Sequence, residues 1–406
     1  MSTKKAGGFF FDRSIPRGIL AIGIASLFIN IATVVTFSGS SLYMKTVLGT
    51  GVAVIGLLEA VIEIVAYTTR IFSGVISDFF KNRKVGIVIG FALIAISKPL
   101  LAFSKTVPHI FITRLMDRAG NGIQASPRDA FVGDIAPPHL KGSCYGFRQS
   151  LCAIGSTIGG IMGIVILSMS NNNFELLFLI AGIPAVLAVL VITLFTKEKK
   201  DNHQKSKLNR QPIKIKNLKL LGNKFWLLMI VVLVFMMSRF SEIFIVLHAC
   251  GNHGLSISYG PSISVIFNLV AALIAFPIGK ISDKIERTTL LLIGLIMLFS
   301  AHLLIYSSSS LYGIFLGLVI WGSQFGINQA IVSVLVSDYV PKGLRGTGFG
   351  VYYVITAIAT GFASFFAGIM SAKTGSEVTA FFYGAIFSGI SIILLLFLKG
   401  RLKLNK

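Results

Sequence analysis

The chain has 406 residues, of which 54% are hydrophobic and only 13% charged, with 33 phenylalanines, whereas an average soluble domain carries roughly 25% charged residues. Too little polar surface remains to cover soluble domains, so disorder, a disulfide scaffold and a soluble enzyme are excluded together. The formal net charge of +22 would suggest nucleic acid in a soluble protein, but each basic cluster is a short loop or tail beside an apolar run, which makes nucleic acid a poor partner.

Apolar runs long enough to cross a hydrocarbon core of ~30 Å fall at approximately 18–42, 52–77, 85–104, 109–134, 143–168, 174–196, 225–247, 257–279, 288–306, 311–338, 348–371 and 377–398. The fourth of these twelve spans is the least apolar. The first is too long for a signal-peptide core and reads as an uncleaved span. With both termini placed in the cytoplasm, 28 of the 37 Lys and Arg residues lie in inside segments, against Lys45, Lys105 and Lys373 in outside loops. That asymmetry follows the positive-inside rule and sets the orientation. Ten of the basic residues sit in 197–224, a cytoplasmic linker between an N-terminal bundle (1–196) and a C-terminal bundle (225–406). Cys144, Cys152 and Cys250 are too few and scattered for a disulfide framework or a zinc site.

The two halves repeat at a nearly fixed offset. Gly74, Ser77, Asp78 and Arg83 after the second span return as Gly279, Ser282, Asp283 and Arg287 after the eighth, and Asp134, Lys141 and Gly142 return as Asp338, Arg345 and Gly346. This pattern resembles the major facilitator superfamily of secondary transporters, whose loop between spans 2 and 3 reads Gly-x-Leu-(Ala/Ser)-Asp-Arg-x-Gly-Arg-(Arg/Lys). Phe79, Lys81 and Asn82 replace the usual Arg, Gly and Arg. The stretch from Asp117 and Arg118 through Gly120, Gly122, Pro127, Arg128, Asp129 and Ala130 is similar to a motif of one bacterial branch of that superfamily, with Asn121 and Gln124 replacing its usual Lys and Arg. The resemblance implies an all-α integral membrane fold: twelve transmembrane helices in two pseudo-symmetric six-helix bundles, working by alternating access around a midplane site. It also implies a bacterial inner-membrane protein, expected to act as a monomer in the lipid bilayer.

An ionised group at the bilayer centre costs several kcal/mol, so each retained one is a functional candidate. Glu59 and Glu63 share one face of span 2, with Glu63 about 17 Å along the helix from Val52. Two neighbouring carboxylates in low dielectric do not both ionise readily, which suits one of them to carry a coupling proton. Static pairing with Arg114 or Arg118 is the alternative. Arg114, Asp117 and Arg118 sit one turn apart in span 4, where the surplus cation serves either those glutamates or an anionic group of the substrate. Arg239 and Glu242 in span 7 read as a local ion pair or as ligand contacts. Asn30 in span 1 and Gln324 and Asn328 in span 10 offer uncharged hydrogen-bonding groups for a polar solute or for helix packing. Gly146, Gly155, Gly159, Gly160 and Gly163 in span 5 resemble the spacing of an antiporter motif without its proline, and close helix packing explains them equally well.

At the cytoplasmic side, Asp78 is expected to meet Arg128 and the positive N-terminus of span 11, latching the outward-facing state, with Arg83 in the same motif. Asp283 and Arg287 form the repeat-related latch. Because Val332 stands at the repeat position of Arg128, this second latch is expected to be weaker. Nothing in the sequence matches a nucleotide-binding loop, a cofactor site or a metal-ligating cluster. The sequence therefore reads as a non-enzymatic carrier that moves a small polar or amphipathic solute, coupled to protons, with no cofactor; a passive facilitator is the first alternative and an intramembrane enzyme the second.

Overall fold

The computed structural model describes residues 15–50, 52–80, 82–196, 215–240, 243–252, 260–376 and 378–402. The described elements are helical throughout: α1 (Arg17–Thr46), α2 (Val52–Phe80), α3 (Arg83–Ala102), α4 (Val107–Ile135), α5 (Lys141–Met169), α6 (Phe174–Phe195), α7 (Asn223–Met237), α8 (Ile243–Asn252), α9 (Gly260–Ser282), α10 (Arg287–Ser307), α11 (Leu311–Tyr339), α12 (Arg345–Thr374) and α13 (Val378–Leu398). Nine of them are long and apolar enough to cross a membrane. Helices are the expected answer to this composition, because in lipid every backbone N–H and C=O must find a partner within its own segment. Side chains such as Ile64, Phe195, Ile393 and Phe397 remain more than half exposed on the outer surface, where acyl chains rather than water surround them.

Span 7 differs from the single helix expected at 225–247. It ends at Met237 and resumes as α8 at Ile243, although no proline or glycine lies between. The Ser238 hydroxyl donates to the Phe235 carbonyl at 2.6 Å, and the amides of Ser238 and Arg239 donate to carbonyls only three residues back. A side chain that competes for the last carbonyls tightens the final turn and ends the helix.

α1–α6 and α7–α13 form the two bundles, which meet chiefly where α5 lies along α9 and α2 along α12. Four glycines set that approach. A Cβ on Gly74 would strike the Gly346 backbone, and one on Gly279 would strike the backbone of Gly142. These contacts lie at the end of the bundle that carries the basic loops, here called the basic end. In α5 the glycines serve close packing: Gly155 and Gly159 admit the α1 backbone at Leu27 and Ile31, and Gly146 admits α9 at Ala275.

Candidate functional site

At the basic end Asp78, closing α2, reaches the first turn of α12. Its Oδ1 accepts from the Gly346 amide at 3.0 Å, and its Oδ2 accepts from the Thr347 amide at 2.6 Å and the Thr347 hydroxyl at 2.7 Å. Arg83 Nη1 sits 2.5 Å from Asp78 Oδ1, and its Nε is 3.3 Å from Asp134 Oδ2. Arg345 of the other half completes the chain by donating to Asp134 Oδ1 at 2.8 Å and to the Gly133 carbonyl at 2.5 Å. A carboxylate on a helix N-terminus satisfies amides that have no partner within the helix and opposes the helix dipole.

The repeat-related place has the same construction. Asp283 accepts from the amides of Gly142 and Ser143, at 2.7 and 2.9 Å, and from the Ser143 hydroxyl at 2.6 Å. Arg287 lies 3.7 Å from Asp283 and also pairs with Asp338, which Lys141 of the opposite half meets at 2.6 Å. Each latch thus joins a carboxylate of one half to a helix start of the other.

Two expectations about these latches are corrected. Arg128 does not meet Asp78; its Nε lies 3.1 Å from Asp129 Oδ1, because α4 turns residue 128 toward α5 and away from the end of α2. The arginine at Asp78 is Arg83, whose repeat mate Arg287 is present at Asp283, so Val332 gives no reason for a weaker second latch.

Asp129 stands about 8 Å further along α4 from Asp134. It is 1% exposed. Besides Arg128 it has Arg148 Nε of α5 at 3.5 Å and accepts from the Tyr353 hydroxyl of α12, while its backbone carbonyl accepts from Tyr145 at 2.7 Å. Apart from the adjacent Arg128, these groups come from three positions on two other helices, α5 and α12, and spacing along α4 does not reveal them.

Toward the opposite end, Lys98 of α3 donates to Asp117 Oδ1 at 2.6 Å and to the Thr36 hydroxyl of α1 at 2.8 Å, and Ser97 donates to the same carboxylate oxygen at 3.3 Å. Arg114 and Arg118 stack over Phe37, their Cζ atoms 5.3 and 4.9 Å from the ring centroid. Together with Leu101 and Thr113 these residues enclose a cavity of about 10 Å³, room for roughly one water. Lys98 lies near the end of α3 away from the basic loops. Its 1% exposure and its salt bridge show that it neutralises Asp117 inside the N-terminal bundle.

The remaining candidates scatter. Asn30 donates to the Ser26 carbonyl one turn back. Gln324 and Asn328 are 0% and 1% exposed, and Asn328 packs on Gly294 of α10, so both amides face the interior of the C-terminal bundle, while Phe325 packs on the cluster of Ala153 in α5 and Ala271 and Ala272 in α9. Arg239 lies 4.5 Å from the Phe325 ring centroid. Glu59 and Glu63 are carried by α2, but their side chains, like Glu242, fall outside the described residues.

Residues 20–364 match the Major Facilitator Superfamily. The chain belongs to that family. It is 26% identical over 392 residues to an uncharacterized MFS-type transporter of Methanocaldococcus jannaschii, covering 95% of this chain and 96% of the relative. Among solved structures, the human organic anion transporter MFSD10 (TETRAN) superposes with a TM-score of 0.75 at 17% identity over 93% of this chain and 99% of that one. The E. coli fucose:proton symporter FucP gives 0.74 at 15% identity over 93% and 98%. At these identities the structures speak for the fold: a twelve-helix membrane transporter of this superfamily, whose members handle small molecules within the bilayer.

Proposed function

We propose that this superfamily member moves a small polar or amphipathic solute by alternating access, coupled to protons, from a bacterial inner membrane with both termini in the cytoplasm. The doubled latch carries the reading. Asp78 and Asp283 each cap a helix of the opposite half, so these bonds exist only while the basic end is closed, and their energy biases that state over an open one. Since the basic end is the cytoplasmic end by its charge, the closed form corresponds to an outward-facing carrier.

Asp117, whose Oδ1 accepts from Ser97 and Lys98, forms the proposed coupling set with Glu59 and Glu63. Arg114, Arg118 and Arg239 are the proposed solute contacts. The likeness to a fucose:proton symporter supports proton coupling, and the Asp117–Ala130 stretch supports placement in the bacterial branch.

Proteoliposomes enclosing a pH-sensitive dye test this. Addition of a transported solute from a metabolite panel should move protons with it, and Glu59→Gln, Glu63→Gln and Asp117→Asn should abolish that movement while solute exchange continues. Undiminished proton movement in all three variants would remove these carboxylates from the coupling. A reporter fused after Lys207 should read as cytoplasmic, and an outside reading would overturn the orientation.

A further inference from the structure

Above the latches lies a second layer of charge. Arg70 precedes Asp78 by eight residues, Arg128 precedes Asp134 by six, Arg148 follows Lys141 by seven and Tyr353 follows Arg345 by eight, which sets all four about 9–12 Å along their helices from the latch. Among the described residues its acidic content is one group. Asp129 is shared by Arg128, Arg148 and the Tyr353 hydroxyl, and among the described residues no carboxylate pairs with Arg70.

Arg70 is built in rather than splayed. Ala66, Thr69 and Ser73 of α2 pack on α4 at Gly122, Ile71 and Gly74 pack on α12, and Arg70 occupies the strip between those two faces, toward the axis separating the halves. Its Cζ lies 5.0 Å from the ring centroids of both Tyr67 and Tyr353, and its Nε has no hydrogen-bond partner. Arg128 and Arg148 are 8% and 3% exposed, whereas Arg70 is only half-buried. Among the described residues the layer therefore holds three guanidiniums against one carboxylate in a site of low dielectric, where an unbalanced charge is costly. A guanidinium fixed between aromatic faces presents the planar fork that matches a carboxylate or phosphate.

We propose that this layer is an anion-recognition subsite for a carboxylate or phosphate group of the transported solute. Arg70 receives the anion, Arg128 and Arg148 supply the surrounding positive field, and Tyr353 is a lid. The lid belongs to α12, so opening the basic end withdraws its ring from Arg70 and its hydroxyl from Asp129, and the subsite then faces the other side. The inference rests on the carrier reading and narrows its solute to an anion.

Phenylglyoxal, which modifies accessible guanidiniums, tests it on the full chain in nanodiscs, with modification read peptide by peptide in a mass spectrometer. Arg70 should react, and inorganic phosphate or succinate should slow its reaction roughly tenfold relative to chloride at equal ionic strength, while the exposed Arg17 is unchanged. Protection by phosphate alone assigns a phosphoryl group, and protection by succinate alone a carboxylate. In Arg148→Gln the protection should fall; Arg70→Lys, which keeps the charge and loses the fork, should weaken thermal stabilisation by the protecting anion. An unreactive Arg70, equal protection of Arg17, no protection by either anion, or full protection in Arg148→Gln would overturn the subsite. Proton movement in the dye assay would stand through such a failure, so the two readings fail separately.

Discussion

The latch layer and the layer above it obey different rules. In the latches every part has its repeat mate doing the same work: Asp78 and Asp283, Arg83 and Arg287, Asp134 and Asp338, Arg345 and Lys141, Thr347 and Ser143. About two turns deeper the symmetry is gone. The repeat positions of Arg70, Arg128 and Arg148 are Ala275, Val332 and Tyr352, so none of these three cations has a repeat mate. Closing two rigid bundles against each other requires only matching contacts, which a duplicated sequence supplies twice. Recognising one solute requires unlike walls. The duplicated motif thus fits closure, and the diverged layer fits the proposed selection of an anion.

The largest effect on closure is expected at the glycine contacts. Gly74→Ala and Gly279→Ala each place a methyl against backbone of the other half, which cannot yield as a flexible side chain does, at a cost of about 3 kcal/mol. Labels at the exposed positions His139 and Lys342, one in each half at the basic end, report closure as a distance. Either substitution should reduce the closed population about a hundredfold. A closed distance that persists in both variants would show that the bundles do not meet there.

Next in size are the carboxylates. Asp78→Asn and Asp283→Asn should each weaken closure by about 2 kcal/mol, roughly thirtyfold in the same distance measurement. Their effects should match, because neither latch contains Arg128 and both contain an arginine of their own motif. A much larger effect of Asp78→Asn would restore the asymmetry expected from Val332.

These symmetric parts were the readable ones. Repeats survive in a sequence as fixed offsets, so twelve spans, two halves and the acids of both latches could be found without knowing how any helix is rotated. Partners between helices are not encoded in spacing. Lys98 and Asp117 are neighbours because α3 and α4 lie antiparallel, and Tyr353 reaches Asp129 across 224 residues of chain. The end of α7 was hidden for another reason: a serine hydroxyl taking its own helix's carbonyl leaves no mark that distinguishes it from the many serines that do not. Gln324 and Asn328 show the converse, since polar residues in a lining span face inward to their own bundle as readily as toward the other.

Tyr353→Phe probes the unlike layer and should have a smaller effect. Losing a hydroxyl bond to a buried carboxylate costs about 1.5 kcal/mol, about tenfold in the closed population. The neighbouring Tyr352 is also buried but donates no hydrogen bond to Asp129, so Tyr352→Phe should leave the label distance unchanged. Equal effects of the two would mean that ring packing, rather than the bond to Asp129, holds α12 in place.

The smallest expected effect is also the most discriminating for symmetry. Ser143 and Thr347 occupy repeat-related places in the first turns of α5 and α12, and each donates its hydroxyl to the carboxylate that its own amide also caps, at 2.6 and 2.7 Å. Removing either hydroxyl leaves the two amide bonds and the helix dipole intact, so Ser143→Ala and Thr347→Ala should each cost about 1 kcal/mol, a fivefold change in closure. Thr347→Ser keeps the donor and should be silent. Because the two losses act on separate latches across the same two-state equilibrium, the double variant should show their product, roughly twenty-five-fold, if both latches open together. A double variant no worse than either single one would mean that one latch opens first and the other alone sets the balance.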